Sequence, residues 1–298
     1  MAMMQCDTSE EDVRYRLHRR FDRLGRLYGD GAVERLMASK VAVFGVGGVG
    51  SFVAEALVRS AVGHVMLVDF DEVCVTNTNR QLQALKHTVG QKKALVLRDR
   101  LRDINPQAKV EAQTVFYNAE RSDMLLMSPW SSSVTYDFVV DCIDNVTAKI
   151  HLLATCVQRQ IPVVSSMGAA GKSDPTRIRL TDLAHTKVCR FAKDVRKLLR
   201  QKHGFPRKGP MGVVAVYSEE ERTWPRTLTY DHGKGFRCVC PKTHDEHSCD
   251  NRHLIDGTAV FVTGAFGFAA ASHVVNTLTQ GLVQQAPQAQ ARHVVQSC

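Results

Sequence analysis

At 298 residues and 44% hydrophobic content the chain can bury a full core, which excludes a disordered or fibrous polymer. Its net charge of +9 gathers in one stretch, where Lys187, Arg190, Lys193, Arg196, Lys197, Arg200, Lys202, Arg207 and Lys208 face a single acid, Asp194. Such clustering points to an anionic macromolecule as partner, because a merely solvated helix face mixes both signs.

Residues 1–20 hold no apolar core of signal-peptide length and carry Glu10, Glu11 and Asp12, so the cytoplasm is the expected compartment. Residues 40–45 form a short apolar run that stops at glycines, and 51–62 show helical spacing, giving a strand, turn and helix. A second strand is expected at 64–69, ending in acid. After a long polar loop, a helix is expected over 90–104, stopped by Asn105-Pro106. Three further strands, 109–115, 136–141 and 161–166, are separated by helical stretches at 120–127 and 146–160. The alternation implies a Rossmann-like, doubly wound, mostly parallel α/β sheet.

Later strands are expected at 177–180 and 212–217, with an amphipathic helix over 187–201 between them. Val188, Phe191, Val195, Leu198 and Leu199 make its apolar stripe. Arg190, Lys193, Lys197 and Arg200 recur on the opposite face and could follow a phosphate backbone; an ordinary solvated face is the alternative. Residues 202–257 are polar and rich in Gly, Pro, Cys and His, as an insert or mobile loop would be. The apolar run at 259–271, broken by Gly264 and Gly267, is short for a bilayer span and is expected as a buried helix. The tail, 283–298, is expected to be disordered.

The loop Gly45-Val46-Gly47-Gly48-Val49-Gly50 lies between strand and helix, where backbone N–H groups can approach a phosphate. Asp69, about twenty residues on, can accept hydrogen bonds from ribose hydroxyls. NAD and ATP both satisfy that pair. ATP is favoured by the polar loop from Asp69 through Asp71, Asn77, Arg80 and Gln81 and by Lys93 on the next helix. Displacement at an α-phosphate needs such cations, because negative charge grows as pyrophosphate leaves. Asp144, after the fourth strand, could hold magnesium. Each has a plainer alternative: a surface ion pair for Arg80, a solvated helix position for Lys93, a helix N-cap for Asp144.

Together these motifs, with Asp69-Phe70-Asp71 and Cys142-Ile143-Asp144-Asn145, resemble the ThiF/MoeB adenylating superfamily, relatives of ubiquitin-activating enzymes, over residues 20–166. The resemblance implies one adenylating domain across 1–298, ribose binding by Asp69, phosphate contacts from Asn77, Arg80, Gln81 and Lys93, and magnesium or catalytic duty for Asp144. It also implies a homodimer in which an N-terminal arginine completes the neighbour's site, with Arg26 the candidate and Arg23 second. Five stretches are similar to the branch that dehydrates threonylcarbamoyladenosine in tRNA. They are Arg26-Leu27-Tyr28-Gly29, the segment from Cys74 to Gln81, the segment from Gly168 to Thr176, Thr181-Asp182-Leu183-Ala184, and Phe266-Gly267-Phe268. The activity implied is ATP activation of the threonyl carboxylate, then intramolecular ring closure that expels AMP. A sulfur-transfer accessory protein is a further candidate partner.

The nine cysteines have irregular spacing and are expected as thiols. Cys238, Cys240, Cys249 and His253, with His244 and His247 in reserve, could ligate zinc, although Cys-x-Cys is not the usual knuckle spacing. ATP and magnesium are the expected cofactors, with zinc or a monovalent cation as additional candidates. The competing readings are activation of a ubiquitin-like or sulfur-carrier protein's C-terminal carboxylate, an NAD-dependent oxidoreductase, and a non-catalytic tRNA-binding module. The first of these would carry two Cys-x-x-Cys pairs for zinc, which this chain lacks.

Overall fold

The computed structural model describes residues 19–130, 135–230 and 255–283. Two short helices, α1 (Asp22–Tyr28) and α2 (Asp30–Ala38), lead into β1 (Lys40–Phe44). The chain continues through α3 (Gly50–Arg59), β2 (His64–Val68), α4 (Lys93–Ile104), β3 (Lys109–Gln113), α5 (Ser122–Leu126) and β4 (Phe138–Asp141). It then runs through α6 (Val146–Gln158), β5 (Val163–Ser166), β6 (Ile178–Asp182), α7 (Arg190–His203), β7 (Val214–Ser218) and α8 (Val260–Leu278).

The seven strands lie in the order β3-β2-β1-β4-β5-β7-β6, parallel except for β6, which runs antiparallel to β7. β1, β2 and β4 are near-continuous apolar runs, the pattern of parallel strands covered on both faces. The two edge strands, β3 and β6, carry the exposed polar positions. The chain leaves β1 toward β2 and β3, then returns to the other side of β1 as β4. The loops after β1 and β4 therefore diverge and open a crevice at the carboxyl edge of the sheet.

One face of the sheet is covered by α3, α4 and α8, the other by α6 and α7. By length and composition α8 could cross a bilayer, yet half of its apolar window is buried. Gly264 and Gly267, which interrupt the apolar run, are its contact points: a Cβ on Gly267 would sit 2.7 Å from the Phe52 Cβ on α3.

Two helices, α4 and α7, begin three residues later than the sequence predicts. α4 begins at Lys93 rather than Gly90, because Gly90 turns at φ +87 and donates its N–H to the Val73 carbonyl. α7 begins at Arg190, and Val188 is not part of its stripe. That residue is exposed at φ +62 in a tight turn, whereas Val195 and Leu199 of the expected stripe are buried, joined by Ala192. The strand expected at 212–217 is β7, which pairs with β5 in the main sheet and lies within the stretch 202–257. Residues 284–298 lie outside the described residues, as do Cys238, Cys240, Cys249, His253, His244 and His247.

Candidate active site

The chain leaves β1 through Gly45 at φ +82, a conformation a side chain would strain. A Cβ on Gly45 would lie 2.7 Å from the Cys142 carbonyl oxygen, and one on Gly50 would lie 1.8 Å from the Gly45 carbonyl oxygen. Glycine at these two positions lets the β1 turn close onto α3 and press against the β4 turn. Gly47 and Gly48 serve differently, since a Cβ there would meet the polar side chains of Gln81 at 3.8 Å and Arg80 at 3.3 Å.

Asp69 follows β2 and joins the two loops: one carboxylate oxygen accepts from Val46 N–H at 2.8 Å and the other from Asp71 N–H at 2.9 Å. Burial pushes its carboxyl above the usual range, against the opposing pull of the Lys93 ammonium. Lys93 opens α4, is 6% exposed, and places Nζ 2.8 Å from Asp71 Oδ2. Burial alone would lower its pKa. Asp69, Asp71 and then Asp144 outweigh that and hold the ammonium above its ordinary value of 10.5. Lys93 is thus no solvated helix residue; it is the cation that three carboxylates surround.

Asn77 is buried and caps the short turn Val75–Asn77 by accepting from Cys74 N–H at 3.0 Å, which leaves its side-chain N–H groups for a ligand. Its carbonyl accepts from the backbone N–H groups of Arg80 and Gln81, so it also sets where those two residues stand. The Arg80 guanidinium is oriented by the Thr76 carbonyl and Asn79 Oδ1, both at 2.9 Å. The buried amide oxygens Gln81 Oε1 and Gln83 Oε1 have no hydrogen-bond partner. An unmet buried acceptor costs about 1–3 kcal/mol, so a ligand bringing donors to this loop would relieve it.

Asp144 is exposed and makes no hydrogen bond or ion pair among the described residues. The cap of α6 is Asn145, whose Oδ1 accepts from Ala148 N–H at 3.0 Å, so the N-cap alternative for Asp144 does not hold. Among the described residues no three His, Cys, Asp or Glu side chains form a metal cage. Magnesium bound with nucleotide phosphates needs only one or two carboxylates, and Asp144 fits that demand. The nearby Cys142 is half-buried against the glycine loop, and desolvation pushes its thiol up to about 12, which disfavours the thiolate near neutrality.

Two features escaped the sequence reading. Gln83 donates to the Val46 carbonyl at 2.6 Å and holds the glycine loop from below. Lys149, fully buried on α6, donates to Asp141 Oδ2 at 2.5 Å, to Ser165 Oγ at 3.2 Å and to the Ser166 carbonyl at 3.1 Å. The signal for Lys149 was present: it shares the stripe of Leu152, Leu153 and Cys156, a position an unpaired lysine would not occupy.

On α7, Arg190, Lys193 and Lys197 are exposed, whereas Arg200 is half-buried and donates to the Pro206 carbonyl at 3.1 Å. Arg196 turns inward onto the Leu183 and Thr186 carbonyls. The first turn of α7 abuts the loop after β5, because a Cβ on Gly168 would meet Phe191 Cβ at 3.4 Å. The basic face therefore begins at the same edge of the sheet as the crevice. Among the described residues Arg26 makes no hydrogen bond or ion pair with the residues of the crevice. It pairs with Asp22 at 2.9 Å, and Arg20, just before α1, bonds the Ile104 carbonyl at the far end of α4 from Lys93, roughly 16 Å away along that helix.

The glycine loop, the buried carboxylate of Asp69 and the neighbouring Arg80 and Lys93, at a topological switch point, define a nucleotide-binding α/β protein. The chain belongs to the ThiF family, whose model matches residues 21–296. It is 37% identical to the tRNA threonylcarbamoyladenosine dehydratase of Escherichia coli over 268 residues, covering 89% of this chain and 96% of that one. It is 39% identical to the Bacillus subtilis enzyme of the same name over 262 residues, covering 88% and 95%. The crystal structure of the E. coli enzyme in complex with ATP matches with a TM-score of 0.75 at 34% identity, covering 94% of this chain and 99% of that one.

The raised pKa of Lys93 has a testable consequence. Its charge, and the stabilisation it brings, is fully present below the unfolded value and is lost only as pH rises through the higher folded one. A pH–rate profile of AMP formation should show no alkaline fall from this group below about pH 10. A fall centred near pH 8 that Lys93→Arg removes would contradict the assignment.

Proposed function

We propose that this chain activates the threonyl carboxylate of threonylcarbamoyladenosine in tRNA with ATP and closes it into a ring. The carrying observation is that Asp69, Arg80, Gln81, Lys93 and Asp144 assemble around the glycine loop at one sheet edge, beside a basic helix. Asp69 receives the ribose hydroxyls; backbone N–H groups of Gly47 and Gly48, with the N-terminus of α3, receive phosphate oxygens. Asn77 and Gln81 add polar contacts. Asp144 would hold magnesium, which would supply charge neutralisation there.

A carboxylate oxygen attacks the α-phosphorus, the bond to the bridging oxygen breaks, and pyrophosphate leaves with the electron pair. Arg80 and Lys93 face the charge that develops on those oxygens. A nucleophilic atom of the carbamoyl group then attacks the activated carbonyl carbon, AMP departs, and one proton is released. Arg26 of a second copy completes the site, consistent with its place away from Lys93 in its own chain. The supporting assay is AMP release with tRNA carrying threonylcarbamoyladenosine, read beside mass spectrometry of the digested nucleosides. AMP formed in step with loss of one water from that nucleoside supports the reading; turnover with no nucleoside change redirects it to a protein carboxylate.

Arg190, Lys193, Lys197 and Arg200 bind the tRNA backbone. Lys193→Glu with Lys197→Glu should weaken tRNA binding at low salt and reduce the slope of log affinity against log salt by about 1.5–2. An unchanged slope would place the tRNA elsewhere.

A further inference from the structure

After β7 the chain crosses the carboxyl edge of the sheet as a strap, and the loop following β5 holds it in place. Thr223 N–H donates to the Gly171 carbonyl at 2.8 Å, and Gly171 N–H donates to the Gly257 carbonyl at 2.8 Å. A Cβ on Gly171, which sits at φ +69, would come within 2.7 Å of Arg222 Cγ, so the strap lies directly against that loop. Glu220 fastens it further by accepting from Ser173 N–H and Asp174 N–H, while its own carbonyl accepts from Lys172 Nζ.

On this fixed strap Trp224 is 58% exposed, an unusual place for an indole that packs no core. The Arg222 guanidinium stacks over it at 4.6 Å from the ring centroid and is itself anchored by an ion pair with Asp256. Arg190, the first residue of α7, lies at 5.8 Å from the same centroid and makes no hydrogen bond or ion pair among the described residues. Arg222 is therefore the permanent backing of the ring, and Arg190 is free to exchange the ring for a phosphate. The indole stands where the basic face of α7 meets the edge that carries the crevice.

We propose that Trp224, backed by Arg222 and flanked by Arg190, is a stacking platform for an unpaired base of the substrate tRNA loop. This rests on the tRNA reading above. Proteins that act on single-stranded RNA loops hold splayed bases on aromatic rings and arginine planes, with adjacent cations on the phosphates. A solvated lysine face alone would grip a duplex or a loop equally; an exposed indole beside it selects unstacked bases. The platform would hold the loop open next to the nucleoside being activated.

The chain contains two tryptophans, so Trp130→Phe, which keeps an aromatic ring against His64 and the neighbouring core, leaves Trp224 as the sole indole reporter. In that background, titration with the tRNA should quench Trp224 emission. Trp224→Ala should raise KM for tRNA roughly tenfold, with KM for ATP unchanged and Trp224→Tyr within about threefold of wild type. Normal tRNA binding without quenching, or an unchanged KM in Trp224→Ala, overturns the platform and leaves the dehydratase reading standing. A wild-type protein that neither binds nor dehydrates this tRNA overturns that reading, and the platform with it.

Discussion

Asp144→Asn should reduce AMP formation by about 10³-fold while leaving tRNA affinity within twofold of wild type. The carboxylate is exposed, makes no hydrogen bond or ion pair among the described residues, and precedes Asn145, which caps α6 in its place, so folding depends little on its charge. What depends on it is the balance in the crevice. Lys93 already neutralises Asp71, and a triphosphate entering beside Asp69 and Asp71 needs a further cation, the role proposed above for Asp144. Equal loss of AMP formation and tRNA affinity would mark Asp144 as structural. Mixing Asp144→Asn with Arg26→Ala should restore part of the activity, because one site of a mixed dimer escapes both defects; no recovery would argue against Arg26 acting across chains.

Lys149→Met should be the most destabilising single change, at about 3–5 kcal/mol, because it strands Asp141 as a buried charge. Both side chains are 0% exposed, and Asp141 would retain only the Ser165 hydroxyl and Ile143 N–H, at 2.6 and 3.0 Å. With total stabilities of about 5–15 kcal/mol, the urea midpoint should fall by a large fraction. The double change Asp141→Leu with Lys149→Met should recover most of it, since a well-packed apolar pair replaces a buried ion pair at little net cost. An unchanged midpoint in the single variant would mean that Asp141 is protonated or hydrated in the native state. The pair also reaches the chemistry: Asp141 holds Ile143 N–H, one residue before Asp144, so the folded remainder of Lys149→Met should form AMP more slowly.

Much of this architecture could be read before any coordinates. Apolar runs of four to five residues ending in glycine or acid marked β1, β2 and β4, because a parallel strand buried on both faces leaves little choice of side chain. The glycine loop, Asp69, Arg80 and Lys93 could be singled out together because they follow one another at short local spacing, and the fold brings them to one edge of the sheet. What stayed hidden depends on residues distant in sequence. Lys149 finds Asp141 and Ser165 only once β4 and β5 are side by side, and Trp224 meets Arg190 only after β7 has been inserted between β5 and β6. Val188 fails the helical pattern because a local left-handed turn breaks a periodicity its hydrophobicity would have extended. Arg196 belongs by spacing to a basic surface, but the carbonyls of Leu183 and Thr186 draw it inward.

In the proposed mechanism a carboxylate attacks the α-phosphorus of ATP. The most direct measurement is to label the threonyl carboxylate of the tRNA nucleoside with oxygen-18 and weigh the nucleotide product after one turnover. The expected result is AMP carrying one heavy oxygen, with unlabelled pyrophosphate. Label in orthophosphate alongside ADP would mean attack at the γ-phosphorus, and unlabelled AMP would mean that water, not the carboxylate, is the nucleophile; either would contradict the account.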